Sequence, residues 1–152
     1  MIDNKENAWT TTSLFEALQK TDQLSSQQAQ IELIEGVETT IHILMKDYGD
    51  LPIFLTVSGE QIIAESILWS ADAVADTSRL NDAILRSHKY FPLSTICLDQ
   101  LGKNGDYYQM FGALSATSLL QNVILEIEIL ASNVIQATEA YAEFLNISVE
   151  AS

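Results

Sequence analysis

Basic side chains are scarce in this sequence. It contains 7 lysines and arginines against 21 aspartates and glutamates, which gives a formal net charge of −14 at pH 7. Nucleic acid is therefore not an expected partner, because binding to phosphates requires a basic surface that releases counterions. Contact with anionic membrane surfaces is disfavoured for the same reason. An acidic surface of this kind keeps a protein soluble, and it also suits a basic protein partner.

Cysteine and histidine are nearly absent, with Cys97 as the single cysteine and His42 and His88 as the two histidines. A lone cysteine excludes an intramolecular disulfide and a thiolate metal site. Two distant histidines are too few for a zinc site, which needs three or four ligands. Neither a Walker sequence nor a GxGxxG sequence occurs. The sequence therefore predicts no cofactor and no bound metal, and it shows no recognisable catalytic constellation.

Long apolar runs are also missing from the chain. None approaches the roughly 18 residues of a membrane-spanning helix, and residues 1–7 lack the basic and apolar regions of a signal peptide. We therefore expect a cytoplasmic protein that does not insert directly into a membrane.

The composition that remains is typical of a globular protein, since 47% of the residues are hydrophobic and only 18% are charged. A chain of 152 residues is long enough for one domain with a substantial core. We place that single domain at residues 9–146 and expect residues 1–8 and 147–152 to be flexible termini.

The first half of the chain begins with a helix and continues as strands. A capping box at residues 13–16 predicts a short amphipathic helix that ends near Lys20. Apolar and polar residues then alternate, which predicts a meander of three or four strands within residues 31–68. A hairpin turn is expected at Ser58, Gly59 and Glu60.

The second half contains a helix, two strands and a further helix. Asp76 and its neighbours would cap a helix that ends near His88. Residues 95–98 and 107–113 are predicted to be strands, and a long C-terminal helix starts at Ser115 or Ser118. Tight hairpins without regular βαβ alternation indicate an α+β fold with an antiparallel sheet of about five strands and three helices.

Five segments of this sequence resemble the YjfI-like family of uncharacterised bacterial proteins, and the resemblance extends over about residues 9–145. The family has no established activity or catalytic residues, so the resemblance implies none here. It does imply a link to membrane stress, since genes of the family often lie near those of membrane-remodelling proteins similar to phage shock protein A. The segments are LPIFLTVSGEQI (51–62), FPLS (91–94), DYYQMFGALS (106–115), EI (126–127) and NVIQA (133–137).

The order of elements and the acidic character also resemble the small dimeric type III secretion chaperones and their YbjN-like relatives. This second resemblance concerns architecture alone, and it implies a secretion-chaperone-like fold. A shared fold does not transfer function.

The last long helix has a continuous apolar stripe, which we expect to pack on the sheet. Leu125 and Ile129 lie on its other, mostly polar side and would form an apolar patch with Ile124. Such a patch is either a scattered surface feature or an interface, and an interface would join two copies of the chain or hold a helix of another protein. The stripe comprises Leu119, Val123, Ile127, Leu130, Val134, Ala137, Tyr141 and Phe144.

Three of the few basic residues follow helical spacing along one side of the second helix: Arg79, Arg86 and Lys89. They either form a solvated face or pair with acidic residues of another subunit or of another part of the chain. They are therefore further interface candidates.

One arrangement would support a different class of function. Glu65 interrupts an otherwise apolar strand and Glu126 borders the core face of the last helix, so the two carboxylates could form an acid–base pair if they converge. Tyr107 and Tyr108 could line the same pocket.

The sequence favours a non-catalytic protein-interaction module that is chaperone-like or adaptor-like. Its partner would be another protein or, as a homodimer, a second copy of the chain. A permanent structural subunit differs from this only in the lifetime of the complex. The alternative is a small-molecule enzyme or sensor that uses Glu65, Glu126, Tyr107 and Tyr108.

Overall fold

The computed structural model describes residues 7–146, so most of the predicted flexible termini lies outside the described residues. The described part contains a six-stranded sheet and three α-helices. In chain order these are α1 (Thr11–Gln19), β1 (Ala29–Ile34), β2 (Thr40–Met45), β3 (Leu51–Ser58), β4 (Gln61–Ser70), α2 (Thr77–Ser87), β5 (Thr95–Gln100), β6 (Asp106–Ser115) and α3 (Leu120–Ala140).

The sheet confirms the predicted α+β class and order of elements, with six strands where the sequence indicates about five. The strands lie in the order β1-β2-β3-β4-β6-β5, and every neighbouring pair is antiparallel. The first four form the predicted meander. The chain then passes through α2 to the far edge, forms β5, and returns with β6 between β4 and β5.

The strand that the sequence left uncertain is β1. Its residues Ile31 and Leu33 pair with Ile43 and Ile41 of β2 and pack against the core. A short strand with one charged residue at its centre gains most of its stability from such cross-strand contacts, which local sequence does not reveal.

The first helix begins earlier than predicted. Thr10 is its N-cap, and the Thr10 and Ser13 hydroxyl oxygens each accept a hydrogen bond from the other residue's backbone N–H. The capping box predicted at residues 13–16 is therefore wrong. The chain is positioned just before this cap by Trp9, whose backbone N–H donates to the Ala116 carbonyl at 2.8 Å.

The predicted start of α2 is confirmed, whereas the predicted start of α3 is wrong. Asp76 caps α2 as predicted, because its carboxylate accepts a hydrogen bond from the Arg79 backbone N–H. In contrast, α3 begins at Leu120 and not at Ser115 or Ser118. Ser115 still belongs to β6 and pairs with Gln61 of β4, so the helix starts only after the turn that follows.

All three helices pack on one face of the sheet and share a single hydrophobic core with alternate residues of the strands. The predicted stripe of α3 is buried from Val123 to Tyr141. Leu119 is the exception, with 62% of its surface exposed, because it is the N-cap residue and precedes the first turn.

Candidate interaction surfaces

The second face of the sheet has no helix packed on it within residues 7–146. Side chains alternate between the two faces along each strand, so the neighbours of buried core positions point to this second face. We call it the open face. Its residues include Glu32, His42, Leu44, Phe54, Ile63, Glu65, Ile67, Thr95, Cys97, Asp99, Tyr107, Gln109 and Phe111.

The centre of the open face is apolar. Phe54 on β3, Ile63 and Ile67 on β4, and Phe111 on β6 occupy three adjacent strands. Gln109 belongs to the same face and is nevertheless buried by its neighbours. Antiparallel sheets with one face in water usually carry polar residues on that face, so the apolar centre makes the open face a candidate interaction surface.

One row of paired residues crosses the open face from edge to edge. Within it the rings of His42 and Phe54 stack with their centroids 4.8 Å apart, and His42 Nδ1 lies 3.9 Å from a carboxylate oxygen of Glu32. In the same row, Glu65 of β4 pairs with Phe54 of β3 on one side and with Phe111 of β6 on the other. From β1 to β5 the row runs Glu32, His42, Phe54, Glu65, Phe111 and Thr95.

Carboxylates give this apolar centre a negative potential. The pKa of Glu65 is raised, first because the carboxyl is partly buried and then because the charges of Asp99 and Glu38 repel its ionised form. The pKa of the Cys97 thiol is raised by burial, with smaller contributions from Asp99 and Glu65. Ionisation of either group is therefore opposed by its surroundings.

The structure does not bring the predicted acid–base pair together. Glu65 follows Ala64, whose side chain is in the core beside Gly112, and so it points to the open face. Glu126 approaches Gly112 from the helix side of the sheet. The convergence that we considered for these two carboxylates is thus contradicted, because the sheet lies between them.

The two tyrosines are separated in the same way, since they are consecutive residues of β6. Tyr108 is buried on the helix side and donates a hydrogen bond from its hydroxyl to Asn81 Oδ1. Tyr107 faces the other side, where it pairs with Asp99 of β5. These residues do not line a common pocket.

Glu126 belongs instead to a buried polar cluster beneath α3. Its side chain is only 3% exposed, and burial raises the pKa of its carboxyl. About two turns further along α3, Asn133 Nδ2 donates hydrogen bonds to the Pro92 carbonyl at 2.8 Å and to Ser94 Oγ at 2.9 Å. Four of the five segments that resemble the YjfI-like family contribute residues here.

The apolar patch predicted on α3 is smaller than expected. Leu125 is 48% exposed and Ile129 is half-buried, whereas Ile124 is 6% exposed and belongs to the core. Ile124 is covered because it borders the buried stripe and faces the loop after α1, near Thr21 and Gln23. An interface at Leu125 and Ile129 remains a prediction.

Each of the three basic residues on and after α2 has a partner within its own segment or the C-terminal segment. Arg86 donates a hydrogen bond from Nε to Asp82 at 2.9 Å, which raises the pKa of its guanidinium. The Arg79 guanidinium carbon lies 5.6 Å from the centre of the Phe144 ring, and Lys89 Nζ lies 5.4 Å from that of Tyr90. Their role in an interface also remains a prediction.

A groove of about 310 Å³ lies between α2 and the edge strand β5, where Leu85 is 75% exposed. His88 closes part of this edge, because its Nδ1 accepts a hydrogen bond from the Ile96 backbone N–H at 3.3 Å. The histidine at the end of α2 therefore acts as a hydrogen-bond acceptor for the backbone of β5. A capped edge is less able to add a further strand.

Within residues 7–146 we find no group of three or more His, Cys, Asp and Glu side chains arranged to hold a metal ion. In the same part of the chain, no helix is both long enough and apolar enough to cross a membrane.

Sequence reasoning missed the open face, although a signal for it is present. Consecutive apolar residues such as Ile53 with Phe54 and Ile62 with Ile63 place apolar side chains on both faces of one strand. Runs of this kind are typical of strands that are covered on both sides.

The sequence is similar to those of bacterial proteins. A family model described as "Uncharacterized protein conserved in bacteria (DUF2170)" matches residues 8–145. The uncharacterized protein YjfI of Escherichia coli K12 is 32% identical over 111 residues, which are 73% of this chain and 83% of that protein. YjfI of E. coli O157:H7 has the same identity and coverage.

Among solved structures, the crystal structure of YbjN from E. coli is similar, with a TM-score of 0.59. The match covers 88% of this chain and 94% of YbjN, at 12% sequence identity. At this identity the likeness shows a shared fold, and it confirms the predicted YbjN-like architecture.

Proposed function

We propose that this chain, which belongs to the DUF2170 family of uncharacterized bacterial proteins, is a non-catalytic protein-interaction module, adaptor-like or chaperone-like. The observation that carries this proposal is the apolar centre of the open face at Phe54, Ile63, Ile67 and Phe111. Within residues 7–146 no helix covers it, and apolar surface of this kind is stabilised by a bound partner.

The separation of the candidate catalytic residues supports the same proposal. Acid–base chemistry requires two groups within reach of one substrate, and Glu65 and Glu126 lie on opposite faces of the sheet. The groove between α2 and β5 is lined mainly by aliphatic side chains and by no acidic or basic residue, so it offers no acid–base pair either.

Three further elements belong to this proposal and go beyond the fold. We place the module in the cytoplasm, on the basis of its composition. We connect it to a membrane-stress pathway on the basis of the family resemblance alone. We also assign self-association to the exposed side of α3 at Leu125 and Ile129, a surface that is separate from the open face.

The proposal is tested by affinity purification from the source cell with the wild-type chain and two variants. Ile67→Asp places a charge in the apolar centre of the open face, where the wild-type side chain is 40% exposed, so we expect the fold to tolerate the change. Leu85→Asp is the matched control, since it places the same charge on an exposed leucine of α2. Circular dichroism establishes that both variants are folded.

We expect a protein that is enriched with the wild type and with Leu85→Asp and is lost with Ile67→Asp. Retention of every enriched protein by Ile67→Asp would contradict the proposal. So would the absence of any protein enriched above the mock purification.

A further inference from the structure

The apolar centre of the open face has the width of one α-helix. Neighbouring strands are about 4.8 Å apart, so β3, β4 and β6 together span about 10 Å, close to the 10–12 Å diameter of a helix with its side chains. The ten residues of β4 extend over about 33 Å, which accommodates a helix of about 18 residues, roughly 27 Å long. On the opposite face α3 packs over β4 and β6 in this manner.

The side chains around this centre include carboxylates but neither lysine nor arginine. Glu65 lies in the middle, Glu32 lies toward one edge of the sheet on β1, and Asp99 lies toward the other on β5. None of the residues that define the open face is a lysine or an arginine. An occupant with cations on both sides of an apolar stripe would match this pattern.

Glu65 sets the strongest requirement on the occupant. Its carboxylate is already partly desolvated, and a covering molecule would remove more of its water. An unpaired buried carboxylate is strongly unfavourable, whereas a lysine or arginine over it would pack its aliphatic stem between Phe54 and Phe111 and pair its charge with Glu65.

A second copy of this chain does not meet the requirement. A two-fold axis would bring Glu65 and Asp99 of one copy against the same acidic surface of the other. Glu32, Glu65 and Asp99 would be brought close to their own counterparts with no lysine or arginine of the open face to pair with them, so local repulsion would oppose this contact.

We propose that the open face docks a basic amphipathic α-helix of another protein, with its apolar stripe on Phe54, Ile63, Ile67 and Phe111 and a cationic side chain over Glu65. This proposal rests on the proposed function and names the chemistry of the partner.

Two designed helical peptides of about 18 residues test the proposal. They share one leucine face, and their other positions are lysine in the first peptide and glutamate in the second. Binding to the full chain is measured by fluorescence anisotropy, and the site is located by amide chemical-shift changes in NMR spectra. Glu65→Gln is the test variant. Asp47→Asn is the charge-matched control, because Asp47 is exposed outside the open face.

We expect the lysine peptide to bind and to shift the amides of β3, β4 and β6. Removal of one partially desolvated charge pair by Glu65→Gln should weaken binding about tenfold, and Asp47→Asn less than about twofold. Binding should also weaken with added salt.

The opposite results separate the two proposals. Equal binding of the glutamate peptide on the open face, or unchanged affinity for Glu65→Gln, would overturn the basic partner and leave the interaction module intact. Shifts confined to other acidic surfaces would overturn the docking site. A concentration-dependent dimer of the wild type that Ile67→Asp abolishes would identify a second copy as the occupant. The proposed function itself fails if Ile67→Asp retains every cellular partner or if no protein is enriched above the mock purification.

Discussion

Gly112 lies directly beneath the carboxylate of Glu126, and the space that a side chain at position 112 would need is filled. A Cβ there would overlap Glu126 Oε1 and would lie 3.1 Å from the Leu93 carbonyl oxygen. Glu126 is buried, so its carboxylate cannot move aside into solvent. We expect Gly112→Ala to lower the free energy of unfolding by about 1–3 kcal/mol through overpacking.

A double-mutant cycle measured by urea denaturation checks this relationship. Glu126→Ala removes the overlapping carboxylate, so Gly112→Ala should cost less in that background than in the wild type. Strictly additive losses would show that the two side chains do not compete for this space.

Ionisation of Glu126 should make the stability depend on pH. Burial raises the pKa of its carboxyl above the ordinary value of 4.5, so the folded state holds the proton more tightly than the unfolded state. The contribution to stability is complete below the unfolded pKa and is lost as the pH rises through the folded pKa. Glu126→Gln cannot ionise and should gain stability relative to the wild type as the pH rises.

The comparison is made by urea denaturation of both proteins between about pH 4 and pH 8, on either side of the carboxyl's ordinary range. Glu65→Gln should change in the same direction, because the pKa of Glu65 is also raised. A difference between Glu126→Gln and the wild type that stays constant with pH would attribute the effect to packing and not to ionisation.

Two capping boxes were possible for α1: Thr10 with Ser13, as in the structure, and Ser13 with Glu16, as predicted from the sequence. Thr10 and Ser13 exchange hydrogen bonds in the structure, and Glu16 is exposed outside the cap. Thr10→Ala should therefore lower the free energy of unfolding by about 1 kcal/mol. Glu16→Ala should change it by less than about 0.5 kcal/mol. Thermal denaturation of the two variants decides the matter, and a larger loss for Glu16→Ala would favour the cap at residues 13–16.

Self-association through α3 is tested by size-exclusion chromatography with light scattering. If the exposed side of α3 joins two copies, Leu125→Asp and Ile129→Asp should convert the dimer to monomer, because each places a carboxylate in an apolar contact. Leu85→Asp, on α2, should leave the dimer intact. A wild type that stays monomeric at all concentrations, or a dimer that survives Leu125→Asp, would contradict this interface.

The candidate site was predictable only in part. The exposure of Leu125 follows from helical periodicity, because residues on the polar side of an amphipathic helix face away from the sheet. Ile124 lies at the boundary of the stripe, and periodicity could not determine that the loop after α1 covers it. Glu65 and Glu126 were both recognisable as carboxylates in apolar surroundings. The face of the sheet that Glu65 occupies depends on the register of β4 with β6, and the approach of Glu126 to Gly112 depends on how α3 packs on the sheet.

Local features of the sequence by themselves determined the class of fold. The cap at Asp76, the hairpin turn at Gly59 and the apolar stripe from Val123 to Tyr141 each depend on residues a few positions apart, so the pattern along the chain was sufficient.

Only the tertiary structure decided the strand order, the existence of β1 and the contact of Gly112 with Glu126. It also decided that Phe54, Ile63, Ile67 and Phe111 form one continuous surface. These relationships join residues far apart in the chain, and their free energy comes from pairing and packing that exist only once the sheet has formed.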